Sequence, residues 1–295
     1  MLGSLLKVGW TITGTWPIRT ELGNRLRSVN SNALATSIVL TCRPRDEAAG
    51  ASDRRGLLQA LREEMPAALQ KLQQGSIAPL DLRQAAIGPG MAVFSRYSRV
   101  NEADGKPMSV HAALSLINRV LDEWFSQLEG DISSDTRWCV EWFKEHGFHA
   151  GPFGDAEALT KGTGTDIEIL KRVGVLRSHG GKVALLPLRD IPRNYDLTHD
   201  ERASEWKICL QLAKRLKEHG TEATAQFMAD AKDVVELGAV KELAYLLYSI
   251  ADKKGWAEIA LLFNGLGTSW TDLEDMSRKV ASADPRHVQV ALGDG

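Results

Sequence analysis

The sequence predicts an α+β chain that is mainly α-helical, with a pair of strands at the N-terminus and one winged-helix-like hairpin further on. Three observations carry this expectation. β-branched apolar runs occur early, at Val8–Thr15 and Ser37–Cys42. From Leu57 onward apolar residues recur at helical spacing, with glycines just past the ends of the stripes. One later stretch, VLRSHGGKVALL, has two short apolar arms around a His-Gly-Gly turn. The 295 residues are 43% apolar and 25% charged, which excludes disordered and fibrous chains and suits one large or about two average domains.

Taken in order, Val8–Thr15 alternates Thr and Ile with Gly and Trp and reads as a strand, and SIVLTC reads as a buried strand that Pro44 ends. The polar, basic segment between them (15–37) holds Pro17 and Gly23 and is too long for a tight turn, so it reads as a functional loop. A helix then carries Leu57, Leu61, Met65, Leu69 and Leu72 on one side and stops at Gly75. Residues 81–100 read as a helical turn broken at Gly88, Pro89 and Gly90, followed by a second apolar segment. Pro107 precedes an amphipathic helix with Val110, Leu114, Ile117, Leu121 and Trp124, which Gly130 closes. Asp135 is the expected cap of the next helix, whose buried stripe is Trp138, Cys139, Trp142 and Phe143 and whose stop is Gly147.

A short helix at 155–161, a second opened by a Thr165/Glu168 capping box, and the hairpin after Gly174 follow in the order of a winged-helix unit. The second of these helices offers Lys171 and Arg172 against Asp166 and Glu168, which favours a structural or protein-contacting role over groove reading. Thr198 and Glu201 suggest a further capping box for a helix running to Gly220, and Thr221 can cap another. A helical hairpin turns at Gly255, and the tail after Ala283 should fray. The expected division is 1–45, 46–150, 151–195, 196–283 and 284–295.

Charge is uneven. Residues 1–45 hold Lys7, Arg19, Arg25, Arg27, Arg43 and Arg45 against Glu21, a net of +5, and the remainder is −7. A polyanion would be drawn to this end. The longest uncharged stretch, Ser28–Cys42, is studded with Asn, Ser and Thr, so no bilayer-spanning segment is expected, and Met1–Trp10 has no signal-peptide pattern. A soluble, cytoplasmic protein is the expectation. Cys42, Cys139 and Cys209 lie far apart in apolar surroundings, and the histidines are scattered, so no metal site is expected in this chain. No nucleotide-binding glycine loop, zincin or nucleophile-elbow motif occurs, and the motifs assemble no complete active site.

The string TWPIRTELGNRLRSVNSNALATSIVLTCRPR (15–45) is similar to the end of the methyltransferase core in a family of adenine-specific DNA methylases with a zinc-ribbon insert. DLRQAAIGPGMAVFSRYSRV, HAALSLINRVLDEW, TRWCVEWFKEHGF, GVLRSHGGKVALLP and the segment 243–270 resemble the helical C-terminal region of the same family. The resemblance implies S-adenosylmethionine-dependent methyl transfer to a flipped adenine, with the amine held by an Asn/Asp-Pro-Pro-Tyr/Phe loop. None of the ten prolines is adjacent to another, so that loop is not in this chain, nor is the cofactor loop. The resemblance therefore implies the C-terminal strands of a class I methyltransferase sheet, belonging to a fragment or subunit that works only with an N-terminal methyltransferase polypeptide. On that reading Arg19, Arg25, Arg27, Asn30 and Asn32 would face DNA, Trp16 and Pro17 would line the pocket mouth, and Arg43, Arg45, Arg54 and Arg55 would position phosphates. The rival is that the loop arginines pair with carboxylates of the absent core. The alternative function is a noncatalytic DNA- or protein-binding module of a restriction or anti-phage defence system, and the blandest is a degraded gene product.

Overall fold

The computed structural model describes residues 2–19, 36–75, 77–127, 132–193 and 195–283. The chain divides into two compact units, residues 1–127 and 128–295. Both are mainly helical with small sheets, as the sequence pattern implies.

In the first unit, α1 (Leu2–Lys7) leads into an antiparallel ribbon of β1 (Trp10–Arg19) and β2 (Thr36–Pro44), in register from Trp10 opposite Pro44 to Arg19 opposite Thr36. A bulge between Ile12 and Gly14 re-aims the strand. Ile12 is thereby fully buried, and its N–H donates to Ser95 Oγ at 2.9 Å. Next come β3 (Ala51–Asp53) and α2 (Arg54–Gln74), whose first turn is capped by Asp53 accepting from the Gly56 N–H at 2.7 Å. The unit is completed by α3 (Pro79–Ser95), β4 (Arg99–Asn101), which pairs in parallel with β3, and α4 (Val110–Gln127). Leu57, Leu61, Met65 and Leu69 of α2, Leu82 and Met91 of α3, and Ile117 and Leu121 of α4 form its core.

The expected break at Gly88-Pro89-Gly90 does not occur: α3 runs through it. These residues serve packing instead. A Cβ on Gly88 would lie 2.0 Å from Thr15 Cγ2 of β1, and one on Gly90 would lie 2.6 Å from Ile117 Cγ1 of α4. The helix approaches both neighbours closely because those side chains are absent, which offsets the weak helix propensity of Gly and Pro.

The second unit opens with α5 (Ser134–His146), then β5 (Gly151–Pro152), α6 (Phe153–Thr163), α7 (Ile167–Arg172), β6 (Leu176–His179) and β7 (Lys182–Leu185). The strands form one antiparallel sheet in the order β5-β7-β6. After two single-turn 3-10 segments comes α8 (Glu205–Ala231), broken in direction at Gly220 (φ 78°), where the sequence placed a helix end. The chain then folds into α9 (Leu237–Lys254), stopped by left-handed Gly255, and α10 (Ala257–Ala283). These last three helices pack together around Cys209, Leu212, Met228, Leu243, Tyr245, Phe263, Trp270 and Leu273.

Three expected caps are corrected. Ser133, not Asp135, caps α5, accepting from the Thr136 N–H, and Asp135 sits in the first turn as a buried ion-pair partner. Asp166, not Thr165, caps α7 by accepting from the N–H groups of Glu168 and Ile169. The Thr198/Glu201 pair opens no helix. Thr198 lies in a 3-10 turn capped by Asp196, and α8 starts seven residues later, at Glu205, under Ser204. In each case a Ser or Asp side chain one or two residues from the expected cap captures the free N–H groups. No helix among the described residues is long and apolar enough to cross a membrane.

Candidate functional site

The best-defined candidate is the set α5, β5, α6, α7, β6 and β7, whose helix-strand-helix-helix-hairpin order and β5-β7-β6 sheet are those of a winged-helix unit. Its hairpin is built by Gly180 and Gly181, both at positive φ (58° and 72°), the geometry of a tight turn that L-residues with side chains resist. The third strand is possible because Gly151 carries no side chain: a Cβ there would meet the His146 ring at 2.7 Å and Trp142 at 2.8 Å. Below it, the Trp138 and Trp142 rings stack with centroids 5.3 Å apart, and Phe143 meets Trp206 of α8 edge-on at 5.9 Å. The aromatic stripe of α5 is thus core that seats the unit on α8.

Polar side chains lock the same seam. Asp135, with a side chain 5% exposed, accepts from Arg202 Nε at 2.6 Å and Nη2 at 2.9 Å and from the Thr165 hydroxyl at 2.5 Å. Burial alone would push this carboxyl up, but the Arg202 and Thr165 hydrogen bonds prevail and hold it below the usual carboxylate range. Glu205 Oε2 accepts from the Ser133 hydroxyl at 2.6 Å and the Thr136 hydroxyl at 2.7 Å, and Thr136 Oγ1 accepts from the Trp206 N–H at 3.1 Å. Asp200 pairs with Lys207 Nζ at 2.8 Å and accepts from the Tyr195 hydroxyl. The start of α8, the start of α5 and the loop before α7 are therefore fixed by charge-assisted bonds that need no ligand.

On the surface of the unit, α7 exposes Glu168, Lys171 and Arg172, and the hairpin exposes Arg177, His179 and Lys182. Lys171 lies 3.5 Å from Glu168, and Arg177 pairs with Asp190 at 2.9 Å. Arg172 and Lys182 have no ion pair among the described residues. The cationic groups belong to the C-terminal end of α7 and the wing, whereas Asp166 and Glu168 occupy the leading end of α7. No group of three or more His, Cys, Asp and Glu side chains among the described residues could hold a metal ion.

The N-terminal candidates fall in the first unit. Trp16 stands 67% exposed on β1 opposite the exposed Val39. Pro17 pairs with Ile38, Arg19 ends β1, and Arg43 is exposed on β2. Arg25, Arg27, Asn30 and Asn32 lie outside the described residues. Arg45 is engaged within the unit. Its guanidinium donates to the carbonyls of Ser95 (2.9 Å), Leu6 (3.3 Å), Ser98 and Trp10 (both 3.4 Å), tying the ends of α1 and α3 to the ribbon. Arg54 pairs with Glu102 at 3.2 Å, and Arg55 is exposed. Sequence reasoning missed the Asp135–Arg202 pair, because its members stand 67 residues apart and neither belongs to a motif.

Comparison with known proteins identifies one family. The family described as "Domain of unknown function (DUF8807)" matches residues 133–292, which spans the winged unit and the three-helix body that follows, and the chain belongs to it. No curated protein and no solved structure matches. The resemblance to adenine-specific DNA methylases is thereby corrected, since the family matched over more than half of the chain carries no methylase description. Among the described residues β1 and β2 pair only with each other, as a self-contained ribbon packed on α3. Of the segments that suggested a methylase, HAALSLINRVLDEW and TRWCVEWFKEHGF lie on the amphipathic helices α4 and α5 and GVLRSHGGKVALLP holds the Gly-Gly hairpin, features set by burial and turn geometry rather than by methyl-transfer chemistry.

Proposed function

We propose that the chain is a noncatalytic DNA-binding module that lays its wing and the C-terminal end of α7 against the phosphate backbone. The observation that carries this reading is the winged topology of α5 to β7 with Arg172, His179 and Lys182 exposed on one helix end and one hairpin. Phosphate contact requires only exposed cations on a rigid frame, and the Asp135, Glu205 and Asp200 networks supply the frame. The carboxylates of Asp166 and Glu168 at the leading end of α7 work against insertion of that helix into a groove, so contact is expected with backbone rather than base edges. Such a protein acts in the cytoplasm, where Cys42, Cys139 and Cys209 stay as free thiols.

Fluorescence anisotropy of the full chain with duplex DNA tests the reading. For about three phosphate contacts, affinity falls roughly 40-fold between about 50 and 200 mM salt. Absence of binding, or binding indifferent to salt, removes it. A second reading, docking to a protein partner, is favoured by the mixed charge of α7, where Asp166 and Glu168 precede Lys171 and Arg172. It takes precedence if DNA fails.

A further inference from the structure

The ribbon of β1 and β2 has one face on α3 and one face open. On the packed face Thr15 sits against Gly88, where a Cβ would come within 2.0 Å of it, and Ile12 is fully buried. Side chains alternate along a strand, so Trp16 and its cross-strand partner Val39 point to the other face, together with Thr41 and Arg43 of β2. All four are exposed. Trp16 is out of character for this chain: Trp124, Trp138, Trp142, Trp206 and Trp270 are each at most 5% exposed, whereas Trp16 is 67% and Val39 43% exposed. An indole and an isopropyl group left side by side in water stabilise the fold little, and their exposure has no explanation in packing.

The chemistry around the indole selects what would cover it. Neither strand contains Asp or Glu, and residues 1–45 carry a net charge of +5. Arg43 has no ion pair among the described residues and lies four residues along β2 from the Trp16–Val39 rung, a separation of about 13 Å. The occupant is therefore an anion with flat apolar surface between its charges. The nearby hydroxyls are already engaged: Thr41 Oγ1 donates to the Gly14 carbonyl at 2.9 Å, and Thr13 Oγ1 donates to the Thr41 carbonyl at 3.3 Å. Neither offers a proton to a base edge or to a 2′-hydroxyl, the group that marks RNA. We propose that the open face of this ribbon binds single-stranded DNA without regard to sequence, one unpaired base stacking on the Trp16 ring beside Val39 while Arg43 meets a phosphate further along the strand. Duplex DNA does not fit, because its base faces are covered by their neighbours. The inference goes beyond the wing reading and rests on residues of the first unit alone.

Fluorescence anisotropy of the full chain with oligo(dT) of about ten nucleotides, and with an abasic deoxyribose-phosphate strand of the same length, separates stacking from charge. Both strands carry the same phosphates, so exposed cations anywhere in the chain treat them alike. Oligo(dT) is expected to bind about five- to 150-fold more tightly than the abasic strand. Trp16→Ala should abolish that difference and Trp16→Phe should keep most of it, each variant being checked for folding by its urea midpoint. Arg43→Gln should flatten the log–log salt slope for oligo(dT) by about 0.7, and Trp16→Ala should leave duplex affinity within about twofold. Equal binding of the two strands by the unsubstituted chain overturns the proposal without any variant, and is the result if the patch receives a protein or a second copy instead. A preference that survives Trp16→Ala, or oligo(U) bound more tightly than oligo(dT), also overturns it. The wing is judged by duplex binding, so either reading can fail alone.

Discussion

Replacing Arg202 with alanine tests whether the seam under the winged unit is held by charge. The Asp135 carboxyl, 5% exposed, would lose two donors and keep Thr165. Stranding a buried charge costs about 3–5 kcal/mol, but Arg202 is itself 44% exposed and water screens the pair, so about 2–3 kcal/mol is expected. For a unit of this size that lowers the melting temperature by roughly 4–12 °C. Adding Asp135→Asn removes the stranded charge, so D135N/R202A should be more stable than R202A alone. The pH dependence has a definite sign. In the unsubstituted chain the Asp135 carboxyl is depressed, so its stabilisation is present above the unfolded value of about 3.9 and lost as pH falls through the folded one. In R202A burial raises the carboxyl instead, and the deficit should shrink as pH falls from about 7 to 5. Urea unfolding followed by tryptophan fluorescence at both pH values reads all of this. An R202A loss below about 0.5 kcal/mol, or a double variant whose loss is the sum of the single ones, would refute the reasoning.

Gly88→Ala forces a Cβ to within 2.0 Å of Thr15 and should destabilise the first unit by about 1–3 kcal/mol, read as a lower urea midpoint. Gly154→Ala, in α6 with nothing within 4 Å of the new Cβ, should be neutral or stabilising by up to about 1 kcal/mol in the same assay. Burial pushes the Cys139 and Cys209 thiols up, so a disulfide-exchange reagent at neutral pH should label the partly exposed Cys42 first and reach the other two only with unfolding. Fast labelling of all three in the folded protein would contradict the packing of α5 and α8.

What could be read from the sequence was what is decided locally. The Gly180-Gly181 turn, the left-handed stop at Gly255, the helix end at Gly147 (positive φ but ψ −130°, not the left-handed helical conformation expected) and the stripe of α5 each carry their own signal within a few residues, and the winged order followed from them. Gly88-Pro89-Gly90 was misread because its reason lies in Thr15 and Ile117, neither of them a neighbour in sequence. β3, β4 and β5 hold three residues or fewer, too short for any period to register. Thr198 and Glu201 matched a motif, but Asp196 captured the Thr198 N–H and Ser204 began α8. The candidate site was legible as a wing and a short helix. Its supporting pair, Asp135 with Arg202, arises from tertiary contacts that no spacing announces.

Charge reversal on the wing tests the account most directly. In the full chain, R172E/K182E should weaken duplex DNA binding at least about tenfold and flatten the log–log salt slope by roughly two, while Lys254→Glu, exposed at the C-terminal end of α9 and part of neither α7 nor the wing, stays within about twofold of the unsubstituted chain. Equal losses from both variants, or none from either, would contradict the claim that this unit meets DNA through its wing.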